Sequence, residues 1–301
     1  MKKKKVGAAE RRARAFSLVC AAPAFFLTIV FMILPTAKVF YLSFFSSTGL
    51  GKNERFVGFE NYKYLLKDDA LHQALGNTAV LLAVGTVACL GLALLMAFIC
   101  AQSDLREKKI YKIILFTPSI LSVTVVGILW SFIYHPRIGI LNGLLDLLGL
   151  SGLKHTWLGE PGTVLYAIAA VFIWLNAGYY MVMYIAGING ISPSVFEAAT
   201  IDGASKPQQL IYITLPLMRG LIGITTVLCI SNLLASSFTL VTIMTNGQPS
   251  GASSVILFYM YQTAFRNSNF GYAMAIAVVT LVIAFVLSLF SGRLSATGGE
   301  A

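Results

Sequence analysis

Long runs of apolar residues constrain the fold of this chain more than any other feature of its sequence. A helix needs about 20 mostly apolar residues to cross the hydrocarbon core of a bilayer, and several runs are long enough. Hydrophobic residues make up 57% of the chain and charged residues only 11%, against about 25% charged in soluble domains. Because backbone in lipid must satisfy its own hydrogen bonds, these runs predict an all-α, polytopic membrane protein.

Six apolar segments are long enough to be transmembrane helices. The sequence predicts spans at about residues 16–40, 75–101, 110–134, 164–188, 217–243 and 272–290. The first span contains Pro23 and Pro35, which membrane helices tolerate when neighbouring groups satisfy the freed backbone. A further apolar stretch at 138–150 is too short to span. The predicted organisation is a basic tail (1–15), one transmembrane domain (16–291) with a polar segment at 192–216, and a C-terminal tail (292–301).

The basic residues predict which side of the membrane each loop occupies, because lysine and arginine accumulate in cytoplasmic loops. Fourteen of the 22 basic residues fall on the side of the N-terminus: Lys2, Lys3, Lys4, Lys5, Arg11, Arg12, Arg14, Arg106, Lys108, Lys109, Lys112, Lys206, Arg219 and Arg293. Seven fall on the other side: Lys52, Arg55, Lys63, Lys67, Arg137, Lys154 and Arg266. Lys38 lies at the outer end of the first span. This bias predicts that both termini and the segment 192–216 are cytoplasmic. It also explains the basic charge without nucleic acid, since no aromatic-interleaved basic face is present.

Cysteine and histidine give no sign of a metal or catalytic site. Four cysteines lie far apart, in or beside apolar runs: Cys20, Cys89, Cys100 and Cys229. Such positions favour packing over redox chemistry. Three histidines fall in outer segments: His72, His135 and His155. No pair has metal-ligand spacing, and no histidine is available at membrane depth for a nucleophile, so no metal site and no intramembrane hydrolase is predicted.

The main alternative to a passive membrane component is an ion-driven secondary transporter. Such carriers commonly place an ionisable side chain inside the membrane to bind a proton or cation. All 12 acidic residues of this chain map instead to loops, tails or span ends. The distribution therefore argues against that alternative.

The polar segment between the fourth and fifth predicted spans predicts two short helices joined by a turn. Ser192 followed by Pro193 is typical of a helix start, with a side-chain acceptor at the cap and proline in the first turn. Gly203 supplies a left-handed stop. Ser205 then caps a second short helix, which Pro216 ends or kinks.

The same segment resembles the EAA loop of the membrane subunits of binding-protein-dependent ABC importers. The resemblance rests on Glu197, Ala198, Ala199, Asp202, Gly203, Ile213, Leu215 and Pro216. Further stretches resemble the carbohydrate-importing branch of that family: 56–62 with Asn77-Thr78, 134–136 with 139–142, Ile173-Trp174 with Gly178-Tyr179, and 201–205. A later stretch, 244–249, departs from the family's usual Thr-x-Gly-Gly-Pro at Gln248, which questions the geometry of that loop.

This resemblance implies a type I importer permease with six spans in a bacterial or archaeal cytoplasmic membrane. It implies a second homologous permease, two ATPase subunits that bind the cytoplasmic loop, and an extracytoplasmic solute-binding protein. The chain itself has no G-x-x-x-x-G-K-[ST] loop, since Gly51-Lys52 lacks both the earlier glycine and the hydroxyl residue. ATP is therefore expected to be bound by a partner, and no cofactor is expected in this chain.

Polar and aromatic residues inside two predicted spans are candidates for lining a solute path. They are Trp174, Asn176, Tyr179 and Tyr180 in the fourth span and Asn232, Ser236 and Ser237 in the fifth. Polyols are recognised by hydrogen bonds and aromatic faces, which these side chains offer. The alternative roles are hydrogen bonds between helices and, for the aromatic residues, anchoring at the membrane interface. The resemblance leaves oligosaccharides and glycerol-phosphate compounds open as solutes.

Overall fold

The computed structural model describes residues 8–49, 54–102 and 108–296. The predictions for residues 1–7 of the basic tail, for Lys52, for residues 103–107 and for residues 297–301 lie outside the described residues. The described chain is mostly helical, with a single two-stranded sheet. It divides into two compact units, one of Met1–Leu66 with Thr263–Val278 and one of Lys67–Gln262 with Val279–Ala301.

The first unit begins with a long helical segment interrupted by a π-turn. It comprises α1 (Ala8–Thr28), the π-turn Ile29–Ile33 and α2 (Leu34–Leu42). Pro35 explains the interruption, because proline has no N–H for the carbonyl four residues earlier and its ring crowds that carbonyl. The wider π-turn accommodates the mismatch. The predicted first span is therefore helical throughout, and none of its apolar window is buried.

A small hairpin and a short helix follow in the first unit. β1 (Phe45–Ser46) pairs antiparallel with β2 (Arg55–Phe56), and α3 (Glu60–Leu65) comes next. The Asn61 amide donates to the carbonyls of Ser43 (2.8 Å) and Phe45 (3.0 Å). Gly271 packs against the same strand so closely that a Cβ there would overlap the Phe45 carbonyl. Asn61, which belongs to the stretch 56–62 noted from sequence, therefore fixes the position of the backbone at Ser43 and Phe45.

The second unit contains the remaining helices and turns. In chain order they are α4 (Asp69–Gln102), α5 (Lys108–Phe116), a 3₁₀ turn (Thr117–Ile120), α6 (Val123–Ile133), α7 (Ile140–Leu147), a 3₁₀ turn (Ser151–Leu153), α8 (Val164–Asn189), α9 (Pro193–Ile201), α10 (Lys206–Gln209), a π-turn (Leu210–Thr214), α11 (Leu215–Leu217), α12 (Arg219–Met244) and α13 (Ile256–Tyr261). A π-turn (Gln262–Arg266) and α14 (Phe270–Ala296) complete the chain, and α14 contributes to both units.

Helix α8 is the centre of the second unit and packs most extensively against α4. Its buried side chains include Ile168, Phe172 and Met181. Gly178 marks a close approach, because a Cβ there would overlap the Leu115 carbonyl near the end of α5. Only glycine lets the two backbones come this close. Gly178, of the Gly178-Tyr179 pair noted from sequence, is therefore needed for the packing of α8 against α5.

Four helical segments of the described chain are long and apolar enough to cross a membrane. They are Phe16–Leu42, Asp69–Ala101, Val164–Asn189 and Arg219–Met244. They correspond to the predicted first, second, fourth and fifth spans. The described apolar part of α14, Phe270–Val286, is shorter, so the sixth span stays a prediction. Helix α7, with eight residues, is too short to span, as expected for the stretch 138–150.

The predicted third span, 110–134, is wrong as a single straight helix. Lys109–Ile120 and Val123–Ile133 are bent by 100° relative to each other. Pro118 lies in the 3₁₀ turn, and Leu121 and Ser122 are extended, with ψ of 147° and 134°. Proline removes a backbone donor and two extended residues redirect the chain, so the bend follows Pro118 within an otherwise largely apolar segment. The segment is either a broken span or a re-entrant loop.

Candidate functional site

The polar segment after α8 folds as two helices around a left-handed glycine. Helix α9 ends at Ile201, and Gly203 has a φ of +81°. The Gly203 N–H donates to the Thr200 carbonyl (3.1 Å), and the Ala204 N–H donates to the Ala199 carbonyl (2.8 Å). Many helices end with this pair of hydrogen bonds around a left-handed residue. A side chain at such a residue is strained, so glycine is favoured there. The predicted stop at Gly203 is confirmed.

The two serines predicted as helix caps behave differently. Ser192 precedes α9 with an extended ψ of 131°, but its hydroxyl pairs with the Ser194 hydroxyl (2.8 Å) instead of the helix backbone. The predicted side-chain cap at Ser192 is therefore wrong, because a neighbouring hydroxyl competes for it. Ser205 forms a capping box with Gln208, whose Oε1 accepts the Ser205 N–H at 2.7 Å. The second predicted cap is confirmed.

Pro216 interrupts the second helix as the sequence predicted. The π-turn Leu210–Thr214 precedes it, just as a π-turn precedes Pro35 in the first unit. Helix α11 ends at Leu217, and Met218 (φ −94°, ψ 6°) separates it from α12. We call residues 192–217 the knob. The knob therefore connects α8 to α12 through a left-handed turn at Gly203 and non-helical backbone angles at Met218.

The outer surface of the knob combines carboxylates with exposed apolar side chains. The Glu197 and Asp202 side chains are exposed and have no hydrogen-bond or ion-pair partner among the described residues. Ile201 is 87% exposed and Tyr212 is 74% exposed. A concavity of about 250 Å³ is lined by Asp202, Gly203, Ala204, Gln208, Tyr212 and Ile213. The exposed surface of the knob therefore combines carboxylates, apolar side chains and an open concavity.

The residues predicted for the knob are brought together by the fold. Glu197, Ala198 and Ala199 lie on α9, Asp202 and Gly203 form the turn, and Ile213, Leu215 and Pro216 lie on the second helical stretch. Sequence reasoning missed Gln209, which is buried between the two helices. A polar residue inside a polar segment gave no signal of burial.

The candidates for a solute path divide into two groups in the structure. Asn232 donates to the Asn176 Oδ1 (2.8 Å), and the Ser236 hydroxyl donates to the Asn232 Oδ1 (3.1 Å). These contacts join α8 to α12 and correspond to the interhelical role weighed from sequence. Ser237 is buried and bonds the Leu234 carbonyl of its own helix (2.7 Å).

The aromatic candidates differ in exposure. Tyr180 is buried, whereas Trp174 is 38% exposed and Tyr179 is also exposed. Trp174 packs edge to face on Trp130 of α6, with ring centroids 5.6 Å apart. Trp130 was missed from sequence because its partner lies on another helix. Of the three aromatic candidates, only Trp174 and Tyr179 present their rings on the surface.

A second polar region follows α12, and side chains of α4 hold it. We call residues 245–255 the anchored loop. The Asn77 amide donates to the carbonyls of Gly251 and Ser254, both at 2.9 Å, and Thr78 Oγ1 accepts the Ile256 N–H at 2.9 Å. Gln73 reaches the Ser250 carbonyl (3.3 Å). The Asn77-Thr78 pair and the stretch 244–249, noted separately from sequence, thus belong to one contact region.

Gln248 fits the anchored loop without strain. The left-handed residues of the loop are Asn246, Gly247, Ser250 and Gly251. Gln248 is not among them, so its position does not require glycine, and its Oε1 accepts the Ser250 N–H (3.1 Å). The departure at Gln248 from the family's usual glycine has a local explanation.

A buried carboxylate reinforces the same end of α4. Asp68 Oδ1 accepts the N–H groups of Ala70 (3.1 Å) and Leu71 (3.2 Å), and Oδ2 accepts the Tyr259 hydroxyl (2.7 Å). Asp68 therefore caps α4 and ties it to α13, which follows the anchored loop.

Two exposed pairs of titratable side chains lie at the end of α7 and in the segment before α8. Glu160 accepts the Thr156 N–H (2.7 Å) and pairs with His155 (2.8 Å), and these contacts lower the pKa of its carboxyl. Lys154 pairs with Asp146 (2.7 Å) and, together with Ser151, lowers the pKa of that carboxyl. No group of three or more potential metal ligands occurs among the described residues.

Comparison with known proteins assigns the chain to a family. The model described as "Binding-protein-dependent transport system inner membrane component" matches residues 90–296. The probable ABC transporter permease protein YurN of Bacillus subtilis is 33% identical over 276 residues, covering 90% of this chain and 93% of that protein. The diacetylchitobiose uptake system permease protein NgcF of Streptomyces coelicolor is 33% identical over 286 residues, covering 90% and 80%.

A solved structure supports the fold. A chain of a bacterial ABC transporter involved in the import of the acidic polysaccharide alginate superposes with a TM-score of 0.83 at 23% identity, covering 96% of this chain and 98% of that one. The ion-driven secondary transporter finds no support in these relatives. The chain belongs to the family of binding-protein-dependent transport system inner membrane components, the permease subunits of ABC importers, as its sequence predicted.

Proposed function

We propose that this permease forms half of the translocation path for a carbohydrate or related polyol and is driven by ATPase subunits that bind the knob. The observation that carries the proposal is the knob itself, which leaves Ile201 and Tyr212 exposed beside the unpartnered carboxylate of Glu197. Large apolar side chains beside an open concavity mark surfaces that another protein covers. The turn at Gly203 joins the two helices of this proposed handle.

The proposed ATPase docking explains why the knob lies between α8 and α12. Movement of an attached subunit would pull on both helices, which Asn176 and Asn232 join by a hydrogen bond. Glu197 would contact the ATPase surface and take no part in catalysis. ATP would be bound and hydrolysed entirely by the partner.

A second homologous permease is proposed to complete the pore. The first span, Phe16–Leu42, has no buried residue in its apolar window, so that window is available to a partner helix and to membrane lipids. The matched alginate importer has also been crystallised with a periplasmic protein that carries an alginate pentasaccharide. By analogy, an extracytoplasmic binding protein would deliver the solute to this chain.

The solute is proposed to be a carbohydrate because of relatives such as NgcF, whose name specifies diacetylchitobiose uptake. Within this chain, the exposed rings of Trp174 and Tyr179 are suited to contact a sugar face. Asn176, Asn232 and Ser236 would contribute mainly by holding α8 and α12 together. Tyr180 and Ser237 are buried and would support that framework.

The proposed topology has six crossings with both termini and the knob in the cytoplasm, at a bacterial or archaeal inner membrane. Single cysteines at Gly203 and Ser151 test it in intact cells, in a background where the exposed Cys20 is replaced by serine. An impermeant thiol reagent is expected to label the cysteine at 151 and spare the one at 203. The reverse labelling would overturn the orientation.

The function is tested in proteoliposomes that contain the permease with its partner permease and ATPase. ATP inside the vesicles and a binding protein outside should drive uptake of labelled diacetylchitobiose. Glu197→Ala should weaken ATPase docking, whereas Asn232→Ala should leave docking intact and impair uptake. Uptake that needs a proton gradient and proceeds without the ATPase would instead assign the ion-driven alternative.

A further inference from the structure

Gln209 is an unusual buried residue in an otherwise exposed segment. Its side chain is 1% exposed, although glutamine is mostly found on protein surfaces. Burial of an amide is unfavourable unless its polar atoms are hydrogen-bonded. The hydrogen bonds of the Gln209 amide are therefore important for its stability in this position.

The Gln209 amide joins the two helices of the knob. Its Nε2 donates to the Thr200 Oγ1 on α9 (3.0 Å) and to the Ala204 carbonyl in the turn (3.2 Å). The Thr200 hydroxyl in turn donates to the Phe196 carbonyl (2.8 Å). On the other side, the buried Thr214 donates to the Gln209 carbonyl (3.2 Å). One residue thus contacts α9, the turn and the π-turn beyond α10.

The remaining atom of the amide strengthens this interpretation. Gln209 Oε1 is buried and has no hydrogen-bond partner among the described residues. A buried acceptor without a partner is destabilising, and leucine would avoid that cost in the same volume. The glutamine is therefore present for what its Nε2 donates.

The other described bonds of the turn to α9 are the backbone bonds of Asp202, Gly203 and Ala204, and none of them reaches α10. Helix α10 has only four residues, too few to be stable alone. The capping box of Ser205 and Gln208 fixes where α10 begins, but both residues lie on the same side of the turn. Gly203, the residue at the turn, offers no side chain to resist bending.

We propose that Gln209 is a positioning residue that locks α9 to α10, so that a force applied to the knob reaches α12 instead of bending the turn at Gly203. This inference rests on the proposed function, because it specifies how the handle stays rigid. It predicts that loss of the Nε2 donor uncouples ATP hydrolysis from import without preventing assembly.

The test uses the complete complex in proteoliposomes and measures diacetylchitobiose imported per ATP hydrolysed. The variants are Gln209→Leu, Thr200→Val and the double variant. Each single variant is expected to lower the ratio by roughly threefold to tenfold. The double variant should lower the ratio by less than the product of the two single effects, because the bond between Gln209 and Thr200 is lost in both. Thr242→Val is the matched control, since that hydroxyl bonds only the Phe238 carbonyl of its own helix (2.6 Å).

A second measurement reports the angle directly and needs no transport. Spin labels at the exposed positions 201 and 212, in a Cys20→Ser background, should give a narrow distance distribution that broadens in Gln209→Leu and in Thr200→Val. A normal import ratio and an unchanged distribution in both single variants would overturn the proposal. If Gln209→Leu does not assemble, Thr200→Val alone decides by the same criteria. Absence of ATP-driven import by the unmodified complex would instead count against the proposed function, and the spin labels would still test the lock.

Discussion

The knob and the anchored loop flank the same helix but are held in opposite ways. The knob precedes α12 and the anchored loop follows it. Hydrogen bonds within the knob join residues that are close in sequence, such as Ser205 with Gln208 and Gln209 with Thr200. The anchored loop depends on Asn77, whose partners lie 174 and 177 residues away.

This difference indicates which of the two regions can keep its own shape when another protein pulls on it. The α12 helix has 26 residues and is about 39 Å long, more than the roughly 30 Å of hydrocarbon, so the two regions fall on opposite sides if α12 spans. A region held by local bonds keeps its shape while the helices around it move. A region held by distant side chains moves only when α4 moves with it.

The largest effect on binding of the ATPase should come from Gly203→Val in the knob. A β-branched side chain at φ +81° costs on the order of 1–2 kcal/mol locally and re-aims α10, which corresponds to about a tenfold loss of ATPase co-purification. Membrane insertion should be unchanged. Gly149→Val is the matched control, because Gly149 is also left-handed (φ +70°) with open space around it but lies outside the knob. Equal loss of docking in both variants would show that strain alone, and not the knob, is responsible.

Loss of the side chain that holds the anchored loop is expected to lower the stability of the protein. Asn77→Ala leaves the carbonyls of Gly251 and Ser254 without their donor, which is expected to lower the free energy of unfolding by about 1–3 kcal/mol. Thermal unfolding of the purified protein measures the change. Gln73→Ala removes one long bond from an exposed side chain and should matter less. If Asn77→Ala is as mild as Gln73→Ala, the loop does not depend on α4.

A smaller effect is expected from Ser205→Ala. Loss of a helix-cap hydroxyl typically costs about 0.5–2 kcal/mol, confined in this case to α10. Hydrogen exchange of the amides at 206–209 should accelerate while exchange in the anchored loop stays constant. Ser192→Ala provides the contrast, since that hydroxyl bonds only Ser194. Comparable acceleration in α9 after Ser192→Ala would contradict the assignment of the two serines.

The smallest effect should occur in the segment between α7 and α8. The lowered pKa of Glu160 means that its contribution to stability is complete above about pH 4.3, the ordinary value, and is lost as the pH falls through the lowered value. Because the pair is exposed and screened, Glu160→Gln should flatten this acid dependence with little change at neutral pH. Thermal unfolding between pH 3 and pH 7, about the range in which carboxylates titrate, checks it. A large loss at neutral pH would show that the pair is structural.

Local patterns made the knob predictable. Proline after serine, a left-handed glycine and a Ser-x-x-Gln box each act within one turn, so Pro193, Gly203 and Ser205 could be interpreted without the rest of the chain. Even so, the Ser192 cap failed because a second hydroxyl stood two residues away. Local rules fail where two local partners compete.

Contacts over long sequence distances were not predictable. The packing of Trp130 on Trp174 and the close approach of Gly178 to Leu115 leave no mark in composition or spacing. Each depends on which helix lies opposite, and apolar spans offer many equivalent faces. The substrate-path candidates shared this limit, because a polar residue in a span bonds either a neighbour or a solute.

The sequence by itself determined that this chain is a helical membrane protein of the permease family with a turn at Gly203, because these properties follow from apolar length, charge bias and motifs within a few residues. Only the tertiary structure decided that Asn176 bonds Asn232, that Asn77 holds the anchored loop, and that Gln209 joins α9 to α10. The physical reason is that a side-chain hydrogen bond reaches about 3 Å, so its partner is known only once the backbones have been brought together.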